Sequence, residues 1–305
     1  MARVVLSFPD DVSLATAVAK RLGARMGRLG WRHFPDGESL VAIDEDLAGA
    51  DVVLFASLDN PDRKALPLWF AAQTARELGA RRVGLVAPYL AYMRQDTRFH
   101  AGEAISANAF ARFLEQCIDW LVTVDPHLHR IERLEAIFRI PALCVPAAPC
   151  LAEWIRREVD RPVLIGPDSE SAQWVAEVAR KANAPYQVLQ KTRHGDHQVE
   201  VSLPNAGSLR GHTPVLLDDI ASTGGTLVAA LMHLRTLQLP PAVCVVIHAL
   251  FVGDALESLR NAGAGKVVST DSVAHSSNAI GLAAPLANGI NACLADAADR
   301  HPGQP

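Results

Sequence analysis

The sequence predicts an α/β protein in which mainly parallel sheets are flanked by helices. Short runs rich in Val, Leu and Ile recur along the chain, and amphipathic stretches with helical spacing lie between them. The apolar runs are continuous rather than alternating, as expected for strands that are covered on both faces of a sheet. The predicted strands span residues 4–8, 52–57, 83–87, 120–124, 163–166, 215–218, 243–248 and 267–269. The predicted helices span residues 14–26, 64–78, 106–116, 171–182, 226–237 and 254–262, and Gly23, Gly79 and Gly263 fall where C-terminal caps are expected.

The length of 305 residues predicts about two domains. Residues 141–149 contain three prolines and interrupt the alternation of strands and helices, so a boundary is expected there. We therefore predict domains at residues 1–145 and 146–295, each with several βα units. The halves could be structural repeats, although the sequence shows no clear internal repeat. The polar segment 191–203 alternates enough to predict an extended flap.

Charge and composition argue against several classes of function. The net charge is −4, with acids and bases interspersed, which argues against broad binding to nucleic acids or to membrane surfaces. No apolar run reaches the roughly 18–20 residues of a membrane span, and the N-terminus lacks the features of a signal peptide. Five scattered cysteines without a Cys-x-x-Cys motif predict reduced thiols in a cytoplasmic protein.

The most informative segment spans residues 215–226, where an apolar run leads into two adjacent acids, a loop of small residues and a helix. The strand delivers Asp218 and Asp219 to the carboxyl edge of the sheet, where open α/β folds bind ligands. These acids suit hydroxyl groups or a metal ion. Glycines allow close approach of the backbone, and N–H groups at a helix N-terminus suit a phosphate. The segment therefore predicts a site for a phosphorylated sugar, with a loop formed by Ser222, Thr223, Gly224, Gly225 and Thr226.

Two other features of the second half carry candidate chemistry. Asp168 follows the apolar run 163–166 and precedes a helix, which suits a ligand of a metal or a substrate. A helix cap formed by Asp168 or Ser169 is the alternative. Lys191 and Arg193 are two residues apart on the extended flap, on one side of it, where they could stabilise charge on a polyphosphate. An exposed basic loop is the alternative for this pair.

The first half contains an aromatic residue and two acids within five positions. Phe34 could stack on a nucleobase, while Asp36 and Glu38 could accept hydrogen bonds from its amino group. The alternative is a simple Pro-Asp-Gly turn that closes a hairpin.

Polar residues also follow two predicted strands of the first half. Arg94 and Gln95 place a cation and an amide beyond the strand at residues 83–87. His127 and His129 follow the strand at residues 120–124, where a metal site and a structural role are equally open.

Taken in order over residues 34–278, these segments resemble the ribose-phosphate diphosphokinases, also called phosphoribosyl-pyrophosphate synthetases. The resemblance implies two tandem domains of the phosphoribosyltransferase type. It implies transfer of the diphosphoryl group of ATP to the C1 hydroxyl of ribose 5-phosphate, giving 5-phosphoribosyl 1-diphosphate and AMP. It further implies Mg²⁺ as cofactor and a homo-oligomer built on dimers, either a tetramer or a hexamer, because the adenine turn reaches the site of a neighbouring subunit.

The resemblance also implies a role for each matching residue. Lys191 and Arg193 correspond to the catalytic pair of the mobile flap, and His127 and Asp168 to residues that hold the metal. The residues implied to bind ATP are Phe34, Asp36, Glu38, Arg94, Gln95 and Asp96. The residues implied to bind ribose 5-phosphate are Asp218, Asp219, Ser222, Thr223, Gly224, Gly225 and Thr226.

Departures from the family pattern indicate a divergent branch. Ser222 stands where the family usually has a third acid, so ribose affinity is the property least expected to carry over. Two alternatives to the synthetase are a phosphoribosyltransferase and a non-catalytic family member. A phosphoribosyltransferase would not need the ATP segments around Phe34 and Arg94, and a non-catalytic member should have lost the flap cations or His127.

Overall fold

The computed structural model describes residues 2–128, 131, 133–169, 171–194, 198–202 and 206–299. Its strands in chain order are β1 (Arg3–Ser7), β2 (Arg25–Met26), β3 (Leu29–His33), β4 (Ser39–Ile43), β5 (Asp51–Phe55), β6 (Arg82–Ala87), β7 (Trp120–Val124), β8 (Ala142–Val145), β9 (Pro162–Gly166), β10 (Tyr186–Val188), β11 (Gln190–His194), β12 (Gln198–Ser202), β13 (Thr213–Ala221), β14 (Ala242–Ala249), β15 (Ala264–Thr270) and β16 (Asn278–Ile280). Its helices are α1 (Val12–Leu22), α2 (Pro61–Glu77), α3 (Ser106–Leu114), α4 (Ala148–Glu158), α5 (Ala172–Ala182), α6 (Gly225–Thr236), α7 (Ala255–Ala262) and α8 (Ala283–Asp299).

Contacts divide the chain into two compact units. The first comprises Met1–Pro146 and Leu282–Pro305, and the second comprises Ala147–Gly281. The sequence analysis places residues 146–295 in the second domain. In the structure, the helix α8 (Ala283–Asp299) belongs to the first unit. Within the described residues, no helix is long and apolar enough to cross a membrane.

The first unit is built on a six-stranded sheet with the order β2-β1-β5-β6-β7-β8. All neighbouring strands in this sheet are parallel. Every residue of β5 and β7 is buried, because helices cover the sheet on both faces. The strands β3 and β4 pair with each other as an antiparallel hairpin outside this sheet.

The second unit repeats this arrangement. Its parallel sheet has the order β10-β9-β13-β14-β15-β16, and β11 and β12 form an antiparallel hairpin. In each unit, the second sheet strand along the chain (β2 or β10) forms the edge of the sheet next to the first strand (β1 or β9). The hairpin comes next in the chain. The remaining strands of the sheet then follow in order on the other side of β1 or β9. The two units therefore share one topology.

The predicted strands and helices are confirmed as elements, with shifted ends. The first helix ends at Leu22, because Gly23 adopts the left-handed conformation with φ of 61° and closes it. The sequence analysis missed the short strands β2, β8, β10 and β16 and the helices α4 and α8. It gave the hairpin of β3 and β4 only as the turn alternative around Phe34. The segment predicted to be an extended flap corresponds to β11 and β12.

The helix α8 belongs to the first unit because its apolar side chains pack there. Leu286 and Ile290 are fully buried, and α8 contacts α1, β7 and β8. Gly289 permits this close approach, since a Cβ atom at that position would lie 2.9 Å from side-chain carbons of Leu143 and Val145. A hydrogen bond of 2.8 Å from Arg3 to Asn291 also connects β1 to this helix.

The strand order reverses once in each sheet. In the first unit the reversal lies between β1 and β5, and in the second between β9 and β13. At such a point, the loops that follow two neighbouring strands run to opposite sides of the sheet. This opens a crevice at the carboxyl edge of the sheet, where α/β proteins bind ligands. The topology therefore defines one candidate crevice in each unit.

Candidate functional site

The crevice of the second unit contains the acids that the sequence singled out. Asp168 lies two residues after β9, and Asp218 and Asp219 lie near the carboxyl end of β13. These two strands are direct neighbours in the sheet. The structure therefore brings the three acids to the point where the strand order reverses.

The pKa of Asp218 is raised by burial and by the two neighbouring acids. Burial, followed by the charges of Asp219 and Asp168, raises the pKa of Asp218 to about 8. The backbone N–H of Asp219 donates a hydrogen bond of 3.1 Å to Asp218 Oδ1, which acts in the opposite direction. A cation or a set of hydroxyl donors placed here would relieve the repulsion.

The small-residue loop after β13 is shorter than predicted. The prediction that the strand ends at Asp218 is wrong by three residues, because Ile220 and Ala221 still pair with His248 and Ala249 of β14. The loop proper therefore spans residues 222–224, and α6 begins at Gly225. Both acids thus lie on a strand of the sheet, which holds them more rigidly than a loop would.

Gly224 and Gly225, at the start of α6, differ in backbone conformation and in the space around them. Gly224 precedes α6 with φ of 72°, which favours glycine on conformational grounds. At Gly225 a Cβ atom would contact only Thr223 Oγ1, at 3.8 Å, so the surrounding protein leaves room for a side chain. Thr223, Gly225 and Thr226 are exposed, and the first N–H groups of a helix have no acceptor within it. This arrangement suits an anion that approaches the backbone.

Asp168 also has a local structural role. Its Oδ1 accepts a hydrogen bond of 3.1 Å from the Ser171 N–H, and its backbone oxygen accepts one of 2.6 Å from Ser171 Oγ. Asp168 therefore stabilises the turn that precedes α5, while its charge acts on Asp218. The capping alternative is wrong in its detail, because the N-cap position of α5 is Ser171 and not Asp168 or Ser169.

Lys191 and Arg193 lie on β11 of the hairpin in the second unit. Antiparallel pairing places Lys191 opposite Val201 and Arg193 opposite Val199. The side chains of this hairpin, and residues 195–197 between its strands, lie outside the described part of the chain. The roles predicted for Lys191 and Arg193 stay predictions.

In the first unit, the segment around Phe34 closes the hairpin of β3 and β4. The Phe34 N–H donates to Glu38 O at 2.7 Å, the Glu38 N–H donates to Asp36 Oδ1 at 3.1 Å, and Gly37 has φ of 94°. Residues 34–38 therefore form the hairpin turn that the alternative interpretation predicts. Phe34 is 36% exposed, and the Arg32 guanidinium lies 4.4 Å from the centroid of its ring. An exposed ring at a tight turn remains able to stack on a base.

The segment of Arg94, Gln95 and Asp96 follows β6 and precedes α3. Arg94 is exposed, while Gln95 is half-buried and accepts a hydrogen bond of 3.1 Å from Ser106 Oγ through its side-chain oxygen. The Ala107 N–H donates to Gln95 O at 3.2 Å, which joins the segment to the first turn of α3. The segment is thus anchored to a helix at its centre.

His127 lies just beyond β7 at the same edge of the first sheet and is half-buried. The residue two positions earlier, Asp125, has φ of 30°, and its N–H donates to Val145 O at 3.2 Å. His129 lies outside the described residues. In the part of the chain that the structure describes, no group of three or more His, Cys, Asp and Glu side chains is arranged to hold a metal ion.

The crevice of the first unit holds a charge cluster that the sequence analysis missed. Lys64 is only 2% exposed, and its ammonium group donates to Asp59 and, at 2.9 Å, to Ser57 O. Asp11 accepts a hydrogen bond of 2.9 Å from the Ser57 N–H, and burial raises the pKa of Asp11 to about 7. In the sequence, Lys64 looks like an ordinary surface lysine on a helix. Its burial depends on tertiary structure, which is why the sequence analysis did not identify it.

Comparisons with known proteins show the family to which this chain belongs. A model of the N-terminal domain of ribose phosphate pyrophosphokinase matches residues 4–117, and a model of the phosphoribosyl transferase domain matches residues 135–282. A ribose-phosphate pyrophosphokinase from Methanopyrus kandleri is 34% identical over 289 residues, which cover 94% of this chain and 98% of that protein. This chain belongs to the ribose-phosphate pyrophosphokinase family. The resemblance inferred from the sequence is therefore confirmed.

Further members of the ribose-phosphate pyrophosphokinase family are similar over most of their length. The protein from Saccharolobus solfataricus is 32% identical over 262 residues, covering 84% of this chain and 88% of its own. A crystal structure of phosphoribosylpyrophosphate synthetase from Mycobacterium smegmatis superposes with a TM-score of 0.84 at 25% identity, covering 97% of this chain and all of that one. Two tandem domains with parallel sheets flanked by helices are thus the fold of the ribose-phosphate pyrophosphokinases.

Proposed function

We propose that this chain transfers the diphosphoryl group of ATP to the C1 hydroxyl of ribose 5-phosphate, giving 5-phosphoribosyl 1-diphosphate and AMP. The observation that carries the proposal is the placement of the 218–226 segment at the carboxyl edge of the second sheet, in a chain that belongs to this family over nearly its whole length. An acid pair next to exposed backbone N–H groups suits the hydroxyl groups and the phosphate of one sugar phosphate.

The sugar is held by the second unit. Asp218 and Asp219 accept hydrogen bonds from the ribose hydroxyls, and the loop of Ser222, Thr223, Gly224, Gly225 and Thr226 binds the 5-phosphate. The room at Gly225 supports this assignment, because a phosphate oxygen occupies the space that a side chain would otherwise fill.

ATP is held by residues of the first unit. Phe34 stacks on the adenine, Asp36 and Glu38 accept hydrogen bonds from its amino group, and Arg94, Gln95 and Asp96 bind the phosphates. The exposure of Phe34 and Arg94 supports these roles, since both side chains are accessible to a ligand. We also propose a homo-oligomer built on dimers, either a tetramer or a hexamer, because the resemblance to the family implies that the adenine turn reaches the site of a neighbouring subunit.

Carboxylate oxygens are the ligands that Mg²⁺ prefers, and Asp168 supplies one such group at the carboxyl edge of the second sheet. Burial and the charges of Asp219 and Asp168 raise the pKa of Asp218, and a nearby cation would lower it. We propose that His127 and Asp168 hold Mg²⁺, which when bound neutralises charge on the polyphosphate. The five cysteines, all within the described residues, form no disulfide there, which is compatible with the cytoplasmic location that we propose.

The chemistry requires positioning and stabilisation of charge more than a covalent intermediate. The C1 hydroxyl of the bound sugar attacks the β-phosphorus of ATP and loses its proton as the new bond forms. The bond from this phosphorus to the oxygen of the α-phosphate breaks, and AMP leaves. Lys191 and Arg193 stabilise the charge that develops on the phosphoryl oxygens and exclude water from the reacting groups.

The test is an assay of the purified full chain with ATP, Mg²⁺ and ribose 5-phosphate, scored for AMP. We expect AMP only when the sugar is present, together with an equal amount of 5-phosphoribosyl 1-diphosphate. A folded protein that forms no AMP would instead be a non-catalytic family member. A protein that only consumes 5-phosphoribosyl 1-diphosphate in the presence of a base would be a phosphoribosyltransferase.

A further inference from the structure

Tyr92 has an unusual backbone conformation next to the segment proposed to bind the ATP phosphates. Its φ is 65°, in the left-handed region, which is uncommon for a bulky residue without a compensating reason. Such a conformation costs on the order of 1–3 kcal/mol and persists where the surrounding structure enforces it, most often at functional sites. Tyr92 lies two residues before Arg94, and the Gln95 N–H donates a hydrogen bond of 3.1 Å to Tyr92 O.

Contacts of the Tyr92 side chain with two helices hold this conformation. Its hydroxyl donates a hydrogen bond to Asp62 in the first turn of α2. Its ring packs on Phe110 of α3, with the ring centroids 4.7 Å apart. Burial and the Asp62 carboxylate raise the pKa of Tyr92 to about 12, so the hydroxyl remains a donor at neutral pH. Tyr92 therefore connects α2 to α3 through a single side chain.

The same segment is fixed at its other end. Gln95 bonds to Ser106 and Ala107 at the start of α3, as described above. Arg94 is exposed and lies between these two anchors, so its backbone position depends on Tyr92 on one side and on Gln95 on the other. A shift of the Tyr92 anchor would displace the backbone that carries Arg94.

We propose that Tyr92 is a positioning residue for ATP, which holds Arg94 and Gln95 in the geometry that binds its phosphates. This inference rests on the proposed function. The combination of strain, a hydrogen-bonded hydroxyl and a position two residues from a phosphate ligand points to binding.

The test is Tyr92→Phe in the full chain, with steady-state constants for both substrates and direct titration with a non-hydrolysable ATP analogue. We expect the KM for ATP and the dissociation constant of the analogue to rise about fivefold, because a hydrogen bond to a carboxylate is lost. The KM for ribose 5-phosphate should stay within about twofold of the wild type. Asp62→Ala should have the same effect, and the double variant should be no worse than either single variant.

Tyr186→Phe is the matched control, since Tyr186 is an exposed tyrosine of the second unit. It should leave both KM values unchanged. A Tyr92→Phe variant with unaltered affinity for ATP and a lower melting temperature would overturn the inference in favour of a structural role. The titration also separates this inference from the proposed function: a wild-type protein that binds the analogue but forms no AMP contradicts only the latter.

Discussion

Asp218 lies between two other acids, Asp168 and Asp219, and its pKa is raised to about 8 by burial and by those two charges. The same crowding that prepares the site for a cation or for hydroxyl donors therefore opposes ionisation in the free protein. Residues selected for binding commonly reduce stability in this way.

Replacement of Asp218 by asparagine should separate these two effects. Between its ordinary pKa of 3.8 and the raised value, the folded protein binds one more proton than the unfolded chain, so the free energy of unfolding falls as pH rises. An amide at this position does not titrate, so the variant lacks this dependence on pH. We expect Asp218→Asn to melt about 2–4 °C above the wild type at pH near 8–9, with a smaller difference at pH near 5.

The same variant should lose nearly all AMP formation, because an amide donates where the ribose hydroxyls also donate. Asp254→Asn, at an exposed acid of the second unit, is the control and should show neither change. A melting difference that is constant with pH would contradict the raised pKa of Asp218 in the folded protein.

At the scale of elements, the start of α6 predicts opposite behaviour for two adjacent glycines. Gly225→Ala adds a methyl group into open space, so the melting temperature should stay within about 2 °C of the wild type. If the 5-phosphate of the sugar binds at the backbone of Gly225, the alanine methyl group would occupy part of its site. The KM for ribose 5-phosphate should then rise by about tenfold or more. An unchanged KM would place the phosphate elsewhere.

Gly224→Ala provides the contrast. Its φ of 72° is unfavourable for alanine, so this variant should lose about 1 kcal/mol of folding free energy in a denaturant titration. Comparing the two variants separates damage to the loop from loss of the ligand.

The hairpin of β11 and β12 predicts an effect on the rate rather than on folding. Lys191→Ala should lower kcat by on the order of 10²-fold or more, because one cation that stabilises the transferring group is lost. Thr192→Ala, at the intervening position of the same strand, is the control and should retain most activity. An unchanged kcat for Lys191→Ala would remove the flap from the proposed mechanism, provided that circular dichroism shows both variants folded.

The elements also show which features the sequence could predict. The acid pair, the glycines and the strand before them are neighbours in sequence, so their joint placement could be inferred without tertiary information. The extension of β13 to Ala221 depends on pairing with β14, and the strain at Tyr92 depends on Asp62 and Phe110. Such features arise from residues distant in sequence, which is why sequence patterns did not reveal them.

At the scale of the whole molecule, two units of one topology differ in their crevices. The second presents acids and a small-residue loop, whereas in the first a buried lysine, Lys64, contacts Asp59 and lies 3.4 Å from Asp10. The first crevice thus places an ammonium group among its acids, although burial raises the pKa of Asp11 to about 7. In the second crevice, burial and the charges of Asp219 and Asp168 raise the pKa of Asp218 to about 8.

Lys64→Met should therefore destabilise the protein. It removes the hydrogen bonds of a buried ammonium group to Asp59 and to Ser57 O, and the loss of such a partner typically costs about 1–3 kcal/mol. A denaturant titration should show this loss, whereas Lys20→Met, at an exposed lysine of the same unit, should change stability by less than about 0.5 kcal/mol. Equal stability of the two variants would contradict the importance of the buried cluster.

The return of α8 to the first unit makes that unit discontinuous along the chain. During translation, the strands up to Val145 emerge first, but the helix that covers part of their sheet emerges only after the whole of Ala147–Gly281 has been synthesised. A nascent chain of this length therefore presents the apolar surface of β7 and β8 while the later unit can already fold. Chaperones that bind exposed apolar surface would encounter this protein on the ribosome through its first sheet.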